Sequence, residues 1–396
     1  MGAQWPPNIT SRVGRATRQD GGAETADRDD PNAGQGGVLS SDPRINPDFH
    51  TWNKLFLHYC DGASFGSGRT DPIAISSGGK PGQMWLRGRA NFNAIIDYFL
   101  TNATLGMAEA TEVILSGGSA GGLAVFYNLD HLASLLPSGV RLVGFPDAGF
   151  FLDHAQEQSG SLHYRALFQG SDPIWNVTGS GGTNLKCLAA NKGSEWKCLM
   201  AQYIAPHVET PMFVMNSNYD EWQMMNILQA QCIPTPGHPC NAAQNQSLLA
   251  FRDHFVSTVA STVVAGKPAN GVFIDNCYVH EQNINQCSGQ WVPNCVGWSP
   301  LESGSIKWGY LLVQYGIARY ICIHLRWCFT QAVRSRYKTA VVLADGRSMT
   351  PQEAFGAWYH GQHIVAFDKT RFFDNPSCHY LGHPVALPGV TSQASE

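Results

Sequence analysis

Charged side chains are scarce in this chain of 396 residues, where Asp, Glu, Lys and Arg together make up only 14%. The net charge is −4, so the sequence lacks the excess of basic residues with which nucleic-acid-binding proteins neutralise phosphates. Hydrophobic residues make up 43%, which is enough to build a large buried core. We therefore expect a globular protein with no nucleic-acid partner. A monomer is our working expectation, although the sequence itself does not give the oligomeric state.

A long uninterrupted apolar run is also missing. The most apolar late window, 308–325, contains Gln314, Arg319 and His324, and we interpret it as a buried or partly buried helix rather than a membrane span. No apolar segment accompanies the arginines of the first twenty residues, so no signal peptide is visible. Residues 1–37 are polar and rich in Gly, Arg and Asp, and we expect them to be a disordered, low-complexity terminus.

The eleven cysteines lack the paired CxxC spacing of zinc sites, so metal binding is not expected. Most of them fall into near groups: Cys187/Cys198, Cys232/Cys240, Cys277/Cys287/Cys295 and Cys322/Cys328. Four Asn-x-Ser/Thr acceptors are present, at Asn8, Asn102, Asn176 and Asn245. Together these features favour a secreted, disulfide-containing glycoprotein, with free thiols and chance acceptors as the alternative.

Short apolar runs alternate with helical patterns along most of the chain. Strands are predicted at 55–59, 112–115, 141–145, 212–216 and 272–275, and helices at 90–100 and 123–136. This alternation predicts a three-layer α/β sandwich with a mainly parallel sheet. Residues 160–200 and 230–245 interrupt it with aromatic residues, glycines and cysteines, and we interpret them as ordered insertions that could shape a cleft.

One segment, residues 112–122, has the pattern of a nucleophile elbow. An apolar strand precedes the motif Gly117-x-Ser119-x-Gly121 and an amphipathic helix follows it, an arrangement that leaves the serine hydroxyl exposed on a sharp turn. The alternative interpretation is a glycine-rich turn with a solvated serine. The strand and helix on either side favour Ser119 as the nucleophile of an α/β-hydrolase-type enzyme.

A serine nucleophile needs a base, and the base needs an acid that orients it. In this type of fold the chain order is serine, acid, histidine, with each partner on a loop after a later strand. Asp220 follows the strand at 212–216, and His280 follows the strand at 272–275. Other acids and bases remain open on sequence grounds, namely Asp147, Asp153 and Asp275 as acids and His154 and His207 as bases.

An oxyanion hole is the last requirement of this chemistry. One donor should be the backbone N–H of Ala120, directly after the nucleophile. The second donor normally comes from a glycine-rich loop after an earlier strand. The glycines upstream of residue 55 have no apolar strand before them, so that element is missing from the expected place.

Several motifs resemble the pectin acetylesterase family, which includes the Notum-type carboxylesterases. They occur in family order over about residues 38–300: Leu39–Pro43, Asn46–Phe49, Tyr59–Phe65, Leu86–Gly88, the Ser119 elbow, Asp147–Phe151, Tyr219–Gln223 and Asn276-Cys277-x-x-His280. The resemblance implies an α/β-hydrolase fold, no cofactor and no metal. It also implies a triad of Ser119, Asp220 and His280.

The resemblance implies one of two substrate classes, and the chain departs from the family pattern in one element of the active site. Plant-type members remove O-acetyl groups from pectin and Notum-type members remove palmitoleate from Wnt proteins. The motifs at 147–151 and 219–223 look more like the plant type, so we expect an acetylated polysaccharide as substrate. A catalytically inactive glycan-binding protein is the alternative of another class, because the family strand that ends in a Gly-Gly-Trp-Cys-like loop is absent before residue 38.

The domain organisation follows from these expectations. Residues 38–396 should form a single catalytic domain, in which 303–347 is an atypical insertion without family resemblance. We expect an N-terminally truncated sequence or an imperfect gene model to explain both departures, with a lost exon at one end and a retained intron at the other.

Overall fold

The computed structural model describes residues 38, 43, 46–57, 59, 61–77, 80–234, 239–282, 310–313, 320–326, 341–343, 346–370 and 378. For residues 56, 77, 80, 310–313 and 320–326 it describes the backbone alone. The expected disordered terminus, 1–37, lies outside the described residues.

The described strands and helices alternate through most of the chain. The strands are β1 (Asn53–Leu57), β2 (Ile73–Ser77), β3 (Lys80–Met84), β4 (Glu112–Gly118), β5 (Arg141–Asp147), β6 (Phe213–Ser217), β7 (Gly271–Asp275), β8 (Tyr310–Val313), β9 (Tyr320–Arg326), β10 (Val341–Val342), β11 (Ser348–Met349) and β12 (Val365–Phe367). The helices are α1 (Gly88–Thr101), α2 (Ala120–Leu135), α3 (His163–Trp175), α4 (Leu185–Ala190), α5 (Ala201–Ile204), α6 (Glu221–Gln223), α7 (Ala242–Val259) and α8 (Pro351–Tyr359).

Eight of these strands form one central sheet in the order β1-β8-β9-β4-β5-β6-β7-β12, with a further pairing of β1 to β9. Neighbours from β9 to β12 are parallel, whereas β8 runs antiparallel to β1 and β9. The carboxyl ends of β4, β5, β6 and β7 therefore meet at one edge of the sheet. That edge is where open α/β sheets place their functional residues.

The core lies on both faces of the sheet, which explains the continuous apolar runs of the strands. Successive residues of β4 point to opposite faces, so Val113 and Leu115 pack in one cluster with α1, α2 and α7 while Ile114 packs in a second. The second cluster is rich in aromatic residues from β5, β6, β7 and α8, and Phe145 stacks on Phe355 with ring centroids 3.9 Å apart. The predicted three-layer α/β architecture is confirmed.

The helix predicted over 308–325 is wrong where the backbone is described, because β8 and β9 occupy 310–313 and 320–326. The segment at 320–323, Tyr-Ile-Cys-Ile, consists mainly of aromatic and β-branched residues, which favour strands over helices. β9 lies directly beside β4, with Arg326 opposite Gly118. Part of the expected atypical insertion 303–347 thus belongs to the central sheet.

Three disulfides join described cysteines. Cys187 pairs with Cys198 and Cys232 pairs with Cys240, so two of the near groups in the sequence are bonded pairs. Cys277 pairs with Cys378, 101 residues later, rather than with a member of its own near group. The side chains of the remaining five cysteines lie outside the described residues.

Among the helices of the described ranges, none is both long and apolar enough to cross a membrane.

Candidate active site

Ser119 lies on the sharp turn between β4 and α2. Its backbone has φ 55° and ψ −122°, a left-handed conformation that is rare for a residue with a side chain. The Ser119 N–H donates to the carbonyl oxygen of Asp147 at 3.0 Å, which ties the turn to the end of β5. Gly122 is required there, because a Cβ at this position would lie 2.5 Å from the same carbonyl oxygen. The elbow predicted from the sequence is present.

Asp220 lies just beyond β6 at the N-cap of the short helix α6. One carboxylate oxygen, Oδ1, accepts a hydrogen bond from the backbone N–H of Gln223 at 2.9 Å. This bond fixes the carboxylate and leaves Oδ2 to face His280. The side chain is fully buried, so the surrounding protein rather than water holds its orientation.

His280 bridges the other two predicted residues. Its Nε2 lies 2.8 Å from Ser119 Oγ, and its Nδ1 lies 2.7 Å from Asp220 Oδ2. Because a carboxylate can only accept, Nδ1 carries the proton in the neutral ring and Nε2 is left as an acceptor for the serine hydroxyl. Residues separated by up to 161 positions in the chain thus form one continuous hydrogen-bonded series.

The electrostatic surroundings favour a charged imidazole. Burial lowers the pKa of His280, but the carboxylates of Asp220, Glu281 and Asp147 outweigh it and raise this pKa to about 9. Glu281 is close enough to the elbow that a Cβ on Gly118 would lie 2.6 Å from its Oε1. An imidazolium that forms here during a reaction would be stabilised by these neighbours.

Ala120, the predicted oxyanion donor, is the first residue of α2. The first N–H groups of a helix have no acceptor within the helix, and the helix dipole adds positive potential at the same end. The backbone N–H of Ala120 lies in this first turn, directly after Ser119. β9 is the neighbour of β4 on the side away from β5, and its carboxyl end reaches the same edge of the sheet.

None of the alternative acids and bases makes the contacts of Asp220 or His280 among the described residues. Asp153 pairs with Arg165 at 2.7 Å, and His154 Nδ1 lies 2.8 Å from His254 Nδ1 on α7. His207 precedes β6 and lies at the opposite end of that strand from Asp220. Asp147 and Asp275 end β5 and β7 next to the site, but Asp220 is the acid that contacts His280.

Aromatic rings line one side of His280. The ring centroids of Phe151 and Trp222 lie 6.4 Å and 6.3 Å from that of the imidazole. Tyr164 of α3 packs against both rings, at 6.1 Å from Phe151 and 5.7 Å from Trp222. The insertion at 160–200 therefore contributes a residue to the wall beside the candidate catalytic groups.

Sequence reasoning missed two residues that follow His280 directly. Glu281 adopts a left-handed conformation with φ 66°, and Gln282 hydrogen-bonds to Asp147 and Asp275. In the sequence only their position next to His280 could have pointed to them. The contacts of Gln282 could not, because its two acidic partners come from distant strands.

Comparison with known proteins gives the family. A sequence model described as Pectinacetylesterase matches residues 1–296 of the chain. The chain belongs to the pectin acetylesterase family. Relatives of 30–34% identity that carry the name pectin acetylesterase identify this member as a carboxylic-ester hydrolase.

The relatives fall into two groups. Pectin acetylesterase 11 of Arabidopsis thaliana is 30% identical over 293 residues, which cover 71% of this chain and 69% of that protein. The palmitoleoyl-protein carboxylesterase NOTUM of Schmidtea mediterranea is 27% identical over 62% of this chain and 44% of that protein. A crystal structure of the Wnt deacylase Notum from Drosophila has the same fold, with a TM-score of 0.61 at 19% identity over 87% of this chain and 80% of that chain.

Proposed function

We propose that the chain hydrolyses acetyl esters of pectin or a related cell-wall polysaccharide, with Ser119 as nucleophile, His280 as base and Asp220 as the acid that orients the base. The observation that carries the proposal is the pair of hydrogen bonds of His280, 2.8 Å to Ser119 and 2.7 Å to Asp220. A serine, an imidazole and a buried carboxylate in this relation are the parts that acyl transfer requires.

The reaction follows from the geometry in two steps. Ser119 Oγ attacks the ester carbonyl carbon while its proton passes to His280 Nε2, and the Ala120 N–H stabilises the resulting oxyanion. Collapse of this intermediate expels the sugar alkoxide, which takes the proton from His280. A water molecule then attacks the acyl-serine by the same route, releases acetate and restores the serine hydroxyl.

The substrate class is supported by the relatives. Four named pectin acetylesterases are 28–34% identical over 62–72% of this chain, whereas four palmitoleoyl-protein carboxylesterases are 26–28% identical over 48–62% of it. The shared fold with a Wnt deacylase makes a fatty-acyl ester the second candidate. The two candidates differ in acyl chain length, which hydrolysis rates measure directly.

The test is ester hydrolysis by wild type and Ser119→Ala over a series of p-nitrophenyl esters from acetate to palmitate, followed by acetate release from acetylated pectin. We expect a preference for acetate and loss of activity by about 10⁴-fold or more in the variant. Ser134→Ala is the matched control, since its hydroxyl donates to the carbonyl of His131 near the far end of α2, away from Ser119. A preference for long chains would favour the fatty-acyl ester instead.

An inactive, glycan-binding protein would give a different result. Wild type would then hydrolyse none of the esters, and a fluorophosphonate probe would not label Ser119, because only an activated serine reacts with it. Binding of acetylated pectin without hydrolysis by such a folded protein would contradict the proposed reaction.

We also infer that the protein is exported to the cell exterior or cell wall. Three disulfides lie among the described residues, and disulfides persist in oxidising compartments.

A further inference from the structure

The chain that follows His280 is attached to the ends of two strands. The backbone N–H of Gln282 donates to Asp147 Oδ2 at 2.5 Å, and its side-chain Nε2 donates to Asp275 Oδ2 at 2.6 Å. Both carboxylates are fully buried at the carboxyl ends of β5 and β7. Hydrogen bonds to charged acceptors such as the Asp147 carboxylate are among the stronger ones in proteins, and burial increases their effect. Burial raises the pKa of Asp275 to about 7, so Asp275 is a less charged acceptor near neutral pH.

The same loop is also held upstream of His280. The backbone N–H of Cys277 donates to Asp275 Oδ1 at 2.9 Å, and the Cys277 carbonyl accepts from the hydroxyl of Ser217. The disulfide to Cys378 holds the Cys277 side chain. His280 thus lies on a short loop that is anchored at both ends.

Asp147 differs from the other anchors because it contacts the nucleophile as well. Its carbonyl oxygen accepts the Ser119 N–H at 3.0 Å, while its carboxylate accepts the Gln282 N–H. It is also paired with Gly118 across β4 and β5. One residue therefore connects the turn that carries the nucleophile with the loop that carries the base.

We propose that Asp147 is a positioning residue that fixes the distance between Ser119 and His280 through Gln282. The proposal rests on the proposed function, since it assumes that Ser119 and His280 react together. The two ring nitrogens of His280 bond to Asp220 and Ser119, and Asp147 acts through the backbone on either side of them. Its negative charge adds a second effect, because it favours the protonated form of His280.

The test compares kcat, KM and pH profiles of Asp147→Ala and Asp147→Asn with wild type. Asp147→Ala removes the acceptor for Gln282, and a loop displaced by about 1 Å should lower kcat about 100-fold with little change in KM. Asp147→Asn keeps an oxygen acceptor of the same size and loses the charge. It should keep kcat within about threefold of wild type at high pH, while its acid limb moves to lower pH.

A matched control is Asp130→Ala. The Asp130 carboxylate also anchors a loop, through the backbone N–H groups of Glu209 and Thr210 at 3.1 Å and 2.9 Å, but it lies away from the site. It should lower the melting temperature and leave kcat unchanged. If Asp147→Ala does not fold, Asp147→Ser takes its place, because the shorter side chain no longer reaches the Gln282 N–H. Rescue of kcat in Asp147→Asn, which keeps the acceptor, then separates positioning from a merely structural role.

The outcomes separate this proposal from the proposed function. Activity retained in Ser119→Ala would contradict the proposed function itself. An inactive Ser119→Ala together with a folded Asp147→Ala of wild-type kcat, or a kcat in Asp147→Asn as low as in Asp147→Ala, would overturn the positioning role alone.

Discussion

His280 is the residue whose chemistry depends most on its neighbours. A base must be neutral to accept a proton, and a pKa of about 9 leaves about 1% of the imidazole neutral at pH 7. The rate should therefore rise with pH and level off only above about pH 9. The same shift stabilises the fold below the unfolded-state pKa, and this contribution is lost as pH rises through the folded-state pKa.

Glu281→Gln tests the origin of this shift. Removal of one of the three carboxylates near His280 should lower the histidine pKa and move the acid limb of the kcat/KM profile to lower pH, with more activity at pH 7. The measurement is the pH dependence of p-nitrophenyl acetate hydrolysis. Glu209→Gln is the control, because that exposed carboxylate pairs with Lys186 on the surface. Identical acid limbs of the kcat/KM profile in wild type, Glu281→Gln and Glu209→Gln would contradict this origin of the pKa shift.

At the scale of elements, the disulfide Cys277–Cys378 holds the histidine loop against the C-terminal part of the chain. Its sequence separation is 101, against 8 for Cys232–Cys240. Since the stabilisation grows with the loop that a disulfide closes, chain entropy predicts about 4.7 kcal/mol for the first and about 2.5 kcal/mol for the second.

Cys277→Ser with Cys378→Ser should therefore lower the free energy of unfolding more than Cys232→Ser with Cys240→Ser. The first pair of substitutions should also reduce kcat, because Cys277 anchors the loop that carries His280. Urea unfolding and kcat of both double variants measure the two effects. Equal losses of stability with unchanged kcat would argue against a role of this disulfide in fixing the loop.

The elements that the sequence predicted well have strong local patterns. The five predicted strands correspond to β1, β4, β5, β6 and β7 with shifts of a few residues at their ends, and the helices at 90–100 and 123–136 correspond to α1 and α2. Position at a strand end selects Ser119, Asp220 and His280, and these ends meet because β4, β6 and β7 are parallel. The helix predicted over 308–325 was wrong because a short apolar run does not distinguish a strand from a helix.

Long-range contacts could not be predicted from the sequence. The partner of Cys277 and the contacts of Gln282 depend on which chain ends meet in space, and no spacing rule predicts this. The same holds for Glu281, whose effect on His280 requires the left-handed turn between them.

At the scale of the whole molecule, export can be tested through glycosylation. Asn176 Nδ2 donates to the carbonyl of Gly68, and Asn245 Nδ2 donates to that of Cys240 within the first turn of α7. At the end of α1, Asn102 Oδ1 accepts from the N–H and the hydroxyl of Thr104, and within the described part of the chain its Nδ2 makes no such bond. We therefore expect Asn102 to carry a glycan in preference to Asn176 and Asn245; Asn8, the fourth acceptor, lies outside the described residues.

The measurement is intact mass before and after glycosidase treatment of protein secreted from a eukaryotic host. Asn102→Gln should remove one glycan, whereas Asn176→Gln and Asn245→Gln should leave the mass of the attached sugar unchanged. A secreted wild type without any glycan would contradict the expectation for Asn102.

The late position of β9 in the chain has a consequence for biosynthesis. β4 pairs with β9 along its full length, yet about 200 residues separate Gly118 from Tyr320. At about 5–20 residues per second, a ribosome needs about 10–40 s to synthesise the chain between β4 and β9. During that time the nascent chain exposes an unpaired apolar strand edge, which is a template for aggregation. Folding of this sheet should therefore depend on chaperones that shield the edge until translation reaches residue 326.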